Sequence, residues 1–442
     1  MFNFLSLSDN ILVMDTVTVT TEKTVFGGLS IAKIDSKTVF IPYSMPGETL
    51  SVKIVQHKND YDNAEIVKII KASPNRVPAP CKYYGQCGGC NMMHIAPEYQ
   101  RELRKQMLAD IFADNKIKLE MPIQTIYGPD TNYRARFQFT DGGLSKKSDN
   151  TIINIDECLC AEKVINDYLA NTPSEQRPQG RIHVFGSDKM QSLNKVTDRQ
   201  SNSQSDGKIK IAIPQTKQTK QSTQNKFTQN PSDKFLSKGG KKLKVKENHY
   251  FKGTIINEET VAAVKILDKT LHFDVRGFFQ SNLFVFEKVI QKIMELLPGG
   301  QNIIDIYAGC GSISTFLTDK YENVTLVEHN RDALVFAEQN LAGKKHVSYG
   351  LSGENWVKTC SFYCPPFDAC VIDPPRSGME KAVCDYLCKS KIPIILSMSC
   401  DPATHARDAA RLIQAGYTLE KLYLLDFYPN TSHIESLALF IL

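Results

Sequence analysis

Residues 302–312 read NIIDIYAGCGS, an apolar run that breaks into two glycines, Gly309 and Gly311. A strand that ends in such a glycine turn and opens a helix lets the backbone approach a ligand closely. Glu328 follows Gly309 by 19 positions, at the end of the next apolar run, VTLVEH (324–329). An acid there can accept hydrogen bonds from the two hydroxyls of a ribose. The third glycine of the G-x-G-x-x-G pattern is missing, because Ile313 and Ser314 follow Gly311. A pyrophosphate is therefore less favoured than S-adenosylmethionine, which carries adenosine without phosphate.

Outward from this stretch the chain alternates strand and helix. FDACVIDPP (367–375) and PIILSMSC (393–400) read as strands, with RDALVFAEQNLAG (331–343) and PATHARDAARLIQAG (402–416) as helices between and after them. This rhythm predicts a Rossmann-like α/β domain over residues 277–442, with a mostly parallel sheet. The last 24 residues hold two strand-like runs joined at Pro429-Asn430-Thr431 and predict an antiparallel terminal pair at the sheet edge.

The N-terminal part differs. DTVTVT, KTVFIP, TLSVKIV and NAEIVKII, punctuated by Gly27-Gly28, Asp35-Ser36 and Pro46-Gly47, predict a small β-barrel over 12–73. Residues 74–187 form a central domain that opens on PNRVPAPCKYYGQCGGC, with a helix from Pro97 to about Asn115 and short strands at 134–140 and 151–155. Residues 188–248 are a basic, low-complexity insertion with only two aromatics, Phe227 and Phe235, too poor in apolar surface to offset ordering entropy. Residues 249–276 return to central-domain strands, among them 253–256, 261–266 and 270–275.

The net charge of +5 is compatible with an acidic polymer as partner. The N-terminus has no basic region ahead of its apolar residues, and no apolar run is long enough to span a bilayer. A cytoplasmic, non-membrane location is expected. In such a compartment the 12 cysteines read as thiols, metal ligands or nucleophiles rather than a disulfide framework. Cys81, Cys87 and Cys90 form C-x5-C-x2-C in the Pro/Gly loop, and Cys158 is the fourth candidate, with Cys160 two residues on. Four thiolates hold either a [4Fe–4S] cluster or tetrahedral zinc, and spacing alone does not separate them. The spacing is not C-x3-C-x2-C, which disfavours a radical use of the cofactor.

The chain resembles the RNA uridine C5-methyltransferases, particularly the iron–sulfur-containing 23S ribosomal RNA branch. The resemblance rests on FFQSN (278–282), DIYAGCGS (305–312), DPPRSG (373–378), SCDP (399–402) and HIE (433–435). It implies a class I methyltransferase domain, a TRAM-like RNA-binding barrel and a central iron–sulfur domain holding [4Fe–4S] on Cys81, Cys87, Cys90 and Cys158. It also implies that a monomeric enzyme methylates carbon 5 of a uridine in 23S ribosomal RNA from S-adenosylmethionine.

By this resemblance Cys400 is the nucleophile and Glu435 the base that removes the carbon 5 proton. Gln280, Tyr307, Glu328 and Asp373 contact the cofactor, and Arg376 and Phe279 are candidate RNA contacts. Ser312 stands where relatives often carry Asn. The position of Cys400 agrees with this role, since it follows a strand and precedes a helix starting near Pro402, whose N-terminus is expected to favour a thiolate. Three rivals are a transfer-RNA uridine C5-methyltransferase, a cytosine C5-methyltransferase and a cluster-bearing RNA-binding protein without catalysis. The second is disfavoured because Arg376 stands where those enzymes carry cysteine, and the third because Cys400 and Glu435 are both present.

Overall fold

The computed structural model describes residues 16–147, 149, 151–191, 208–212, 237–238, 241–242 and 260–442. The extreme N-terminus, most of the 188–248 insertion and the expected strand at 253–256 lie outside these residues. The chain divides into two compact units, Met1–Met107 with Pro429–His433, and Leu108–Tyr428 with Ile434–Leu442.

Among the described residues six strands build the first unit: β1 (Val17–Thr20), β2 (Lys23–Val25), β3 (Leu29–Ile34), β4 (Lys37–Pro42), β5 (Thr49–His57) and β6 (Tyr61–Lys71). Their order is β1-β5-β6-β4-β3-β2. Alternation places Val39 and Ile41 of β4, and Leu50 and Val52 of β5, in one core while the residues between them face outward. The strands read from sequence did not include β2 and β3, which lie on either side of the turn glycines Gly27 and Gly28.

A buried ion pair pins this barrel to the chain that follows it. Glu48 is fully buried, and Arg76 reaches both its carboxylate oxygens, with Nη2 at 2.7 Å from Oε2 and also donating to the Tyr43 carbonyl. The amides of Met45 and Ser73 donate to the same carboxylate. Burial alone pushes the carboxyl up, but the Arg76 and backbone hydrogen bonds outweigh it and hold Glu48 below the usual range. A depressed carboxyl stabilises the fold at neutral pH, and that contribution is lost as pH falls through its folded pKa. Arg76→Ala strands a buried carboxylate and is expected to cost the first unit about 3–5 kcal/mol, read as a lowered midpoint in urea unfolding at pH 7. The deficit should narrow in acid.

The division between the units falls within α1 (Pro97–Asp114), and the second unit begins at Leu108. In chain order it contains β7 (Gln124–Ile126), β8 (Arg136–Thr140), the two-residue β9 (Leu144–Ser145) and β10 (Ile152–Ile153), α2 (Lys163–Asn171), β11 (Arg181–Gly186) and β12 (Ile209–Ala212). The hairpins β13 (Ser237–Lys238) with β14 (Lys241–Lys242), and β15 (Val261–Ile266) with β16 (Lys269–Asp274), follow. Strand β12 pairs with β11, so part of the expected insertion is ordered. KIKIAI (208–213) carries the alternating β-branched residues a strand needs, a local signal the surrounding polar composition hid.

The C-terminal part comprises α3 (Leu283–Leu296), β17 (Gly300–Ile306), α4 (Ser314–Leu317), β18 (Tyr321–Val327), α5 (Arg331–Asn340), β19 (His346–Tyr349), α6 (Gly353–Thr359), β20 (Ala369–Ile372), α7 (Lys381–Ser390), β21 (Ile394–Ser399), α8 (Pro402–Gln414), β22 (Thr418–Leu425) and β23 (Glu435–Ile441). The sheet order is β19-β18-β17-β20-β21-β23-β22-β7. Strands β17 to β21 are parallel, and all four residues of β20 are buried, as expected for strands covered on both faces. The antiparallel terminal pair exists, but it does not close the edge. Strand β23 inserts between β21 and β22, and β7 adds in parallel outside β22. A three-residue strand from nearly 300 positions upstream has no periodicity by which sequence could place it. The chain order reverses between β17 and β20, which is where open α/β sheets bind ligands at their carboxyl ends.

Candidate active site

Three strand ends meet at that reversal. The glycine turn leaves β17, DPPRSG leaves β20, and Cys400 leaves β21. Gly309 and Gly311 both take positive φ (57° and 71°). A side chain at Gly311 would collide with Leu341 and Ala337, whereas one at Gly309 would point into open space. Gly309 is thus free of packing demands on the face it presents.

Glu328 shapes the turn: its carboxylate accepts from the amides of Gly309 (2.9 Å) and Asn330 (2.6 Å), leaving further lone pairs for ribose hydroxyls. Asp305 lies beneath, hydrogen-bonded by Ser314, and burial with the nearby Asp373 and Glu328 pushes it up to about 7. Burial likewise lifts Asp373 to about 6. This acidic floor suits a cationic ligand such as a sulfonium, and the sequence reading gave Asp305 no role.

Gln280 is buried, and its Oε1 has no hydrogen-bond partner among the described residues. A buried amide oxygen without a donor costs about 1–3 kcal/mol, so it fits a ligand that brings an N–H or O–H. Tyr307 takes φ 68°, and its hydroxyl donates to Glu380 Oε2 and accepts from the Glu380 amide, tying the turn to the start of α7.

Cys400 is half-buried in the turn before α8. The expected helix start is present: Asp401 is the N-cap, accepting from the amides of Ala403 and Thr404, and Pro402 opens the helix. The thiol, however, is pushed up to about 11, by burial first and then by Glu435 and Asp373, with Arg376 opposing. The expectation of a thiolate favoured by the helix end is corrected here, because burial of the sulfur, and after it the two nearby carboxylates, outweigh what lowers the thiol. Glu435, at the start of β23, is buried and lifted to about 8 by that burial and by Asp373, again against Arg376. Asp373 and Arg376 thus lie within electrostatic reach of both Cys400 and Glu435, and Glu435 within reach of Cys400.

Helix α8 also holds the loop that carries Arg376. Thr404 Oγ1 donates to the Arg376 carbonyl, Arg407 to the Ser377 carbonyl, and Asp408 accepts from the Met379 amide. Glycine suits position 378, which takes φ 78° and where a Cβ would fall 2.9 Å from Thr404 Cβ. Of the two phenylalanines in FFQSN, Phe279 is not an RNA contact: it is buried and stacks on Phe273 at 3.9 Å. Phe278 is the exposed one, at 67 %.

Cys81, Cys87 and Cys90 lie in the first unit and Cys158 in the second, all half-buried, whereas Cys160 is buried. The Gly89 amide donates to Cys87 Sγ at 3.4 Å. Among the described residues no group of three or more His, Cys, Asp or Glu is arranged to hold a metal ion. Nor is any described helix long and apolar enough to cross a membrane.

Residues 358–441 match the tRNA (uracil-5-)-methyltransferase family, and residues 13–67 match the TRAM domain. An uncharacterized RNA methyltransferase of Treponema denticola is 34% identical, over 96% of this chain and 98% of its own length. The 23S rRNA (uracil(1939)-C(5))-methyltransferase RlmD of Haemophilus parainfluenzae is 28% identical over 94% of each chain. Among solved structures, the tRNA (uracil-54, C5)-methyltransferase of Pyrococcus abyssi, in complex with S-adenosyl-L-homocysteine, superposes with a TM-score of 0.68 at 20% identity, covering 96% of this chain and 100% of that one.

Proposed function

This chain belongs to the RNA (uracil-5-)-methyltransferase family, and we propose that it methylates carbon 5 of a uridine in 23S ribosomal RNA. The observation that carries the reading is that Cys400 and Glu435, at the ends of the paired strands β21 and β23, both lie within electrostatic reach of Asp373 and Arg376. S-adenosylmethionine, when bound at Gln280, Tyr307, Glu328 and Asp373, supplies an electrophilic methyl group.

The chain's own residues do the rest. Carbon 5 of uracil is a poor nucleophile. The Cys400 thiolate adds to carbon 6, placing an enolate on the ring and making carbon 5 electron-rich enough to take the methyl. Glu435 then removes the proton at carbon 5, and the electron pair expels Cys400 and restores the ring. A carboxyl lifted to about 8 by burial is well matched to proton abstraction near neutral pH. Arg376 offsets the charge of the two carboxylates while Cys400 ionises. The target base must leave its stack to reach this depth, by flipping or from an unpaired loop, and the TRAM-matching barrel offers a second RNA surface.

The test offers methyl-labelled cofactor to transcribed 23S and transfer RNA and maps the product by mass spectrometry. The reading expects 5-methyluridine in ribosomal RNA. Labelling of transfer RNA alone would move the substrate to the second family reading, and no labelled uridine in either would overturn the function.

The proposal extends to a [4Fe–4S] cluster on Cys81, Cys87, Cys90 and Cys158. Its support is the cysteine spacing, the half-burial of all four and the amide directed at Cys87 sulfur. No step of the methyl transfer runs through it. Anaerobically purified protein is expected to hold about four irons and four sulfides, lost on Cys87→Ser. One zinc and no iron would assign the site to zinc.

A further inference from the structure

Cys400 and Glu435 must act on adjacent carbons of one ring, yet they stand on different strands. Their spacing is set where β21 and β23 pair, with Ser399 opposite Ser436. Ser399 precedes the nucleophile and Ser436 follows the base. Neighbouring side chains on a strand leave opposite faces, so Ser436 points away from the Glu435 carboxyl and toward α8.

One turn into that helix, His405 is 2 % exposed and its Nδ1 lies 2.6 Å from the fully buried Ser436 Oγ. The backbone amide of His405 donates to the Asp401 carbonyl, beside the nucleophile. Phe112 packs against the imidazole edge-on, with ring centroids 5.8 Å apart. The other ring nitrogen, Nε2, has no hydrogen-bond partner among the described residues. A buried unpaired acceptor is tolerated better than a buried unpaired N–H, so the proton belongs on Nδ1, which donates to Ser436.

The rest of this buried helix face is largely aliphatic: Ala406, Ala409 and Leu412. An apolar side chain at 405 would continue that packing without desolvating an imidazole or leaving a nitrogen unpaired. The polar contact joins the nucleophile's helix to the residue next to the base, and that connection is what it adds beyond packing.

We infer that His405 is a positioning residue for proton abstraction, acting through Ser436 to set where Glu435 stands relative to the ring held by Cys400. The inference rests on the reading of Glu435 as the base. Loss of the link should leave addition of Cys400 and methyl transfer nearly intact and slow the removal of the carbon 5 proton.

RNA carrying tritium at carbon 5 of uridine separates these steps, since methyl incorporation and tritium release are counted independently. In the parent protein the two should run together. His405→Leu and Ser436→Ala are each expected to slow tritium release about 10–100-fold, the cost of a misplacement near 1 Å. Methyl incorporation in the first turnover should then run ahead of release, with methylated RNA held covalently on the protein. The KM for RNA should be unchanged. The double variant should be no slower than either single one, because both remove the same contact. His405→Asn, whose amide can reach Ser436, should restore release.

Ser436→Ala removes a single oxygen and keeps the test meaningful where His405→Leu lowers the melting temperature. If both variants lose methyl incorporation and tritium release in parallel, His405 only supports the fold and the inference is overturned. Glu435→Gln serves as the reference. If it accumulates the methylated adduct while Ser436→Ala behaves as the parent, the inference fails and the base assignment stands; if it does not accumulate the adduct, the base assignment itself fails.

Discussion

Cys400→Ala is expected to abolish methyl transfer, by roughly four orders of magnitude or more, as removal of a covalent nucleophile does in other enzymes. It should also abolish covalent capture of RNA containing 5-fluorouridine. Fluorine cannot leave as a proton does, so in the parent protein the ring stays bonded to sulfur after methylation, and a gel shift stable to denaturant reports it. The variant should still bind RNA, since its affinity comes from contacts to the backbone and bases rather than from the thiol. The electrostatics add a pH signature. With the thiol lifted to about 11 in the free protein, the thiolate fraction grows about tenfold per pH unit through neutrality. Single-turnover addition measured at pH 6.5, 7.5 and 8.5 should therefore accelerate at each step. Retained adducts in Cys400→Ala would remove the residue from its role.

Glu435→Gln is the second large effect, and it has two faces. Turnover should fall to background while the first methyl transfer survives, leaving methylated RNA bonded to Cys400 with its carbon 5 proton in place. At the same time the protein should become more stable in alkali. Glutamate 435 has a folded pKa near 8 against an ordinary 4.5. Between those values the folded state holds a proton that the unfolded state has released, so stability falls as pH rises across the window. Glutamine carries no such penalty. Above pH 8 the variant should gain stability on the order of a few kcal/mol, and by pH 4.5 the two proteins should melt together. Denaturation series at pH 4.5 and 8.5 check this. A variant less stable than the parent at pH 8.5 would contradict the burial of a strained carboxyl.

Much of this site was readable in the order of residues, because its signals are local. The glycine turn after β17, the acid closing β18 and the Asp401-Pro402 start of α8 each lie within a few positions of the residue they define. The β–α alternation fixed the sheet type in the same way. What escaped the sequence was contributed from a distance. The raised thiol of Cys400 depends first on burial and then on Glu435 at the start of β23 and Asp373 just after β20, and no pattern around residue 400 reports them. FFQSN holds two adjacent aromatics, and only the fold decides that Phe279 stacks in the core while Phe278 faces outward. Strand β7 has three residues and gains its place by pairing with β22. His405 reads in sequence as one polar residue on an amphipathic helix, and its contact to Ser436 exists because β23 inserts beside β21.

The most direct test of the central claim is peptide mapping of the complex trapped with 5-fluorouridine RNA and methyl-labelled cofactor. The account predicts one modified peptide, carrying Cys400 bonded to carbon 6 of a uracil whose carbon 5 bears the labelled methyl. A label on nitrogen or ribose, or a bond to any cysteine other than Cys400, would contradict it.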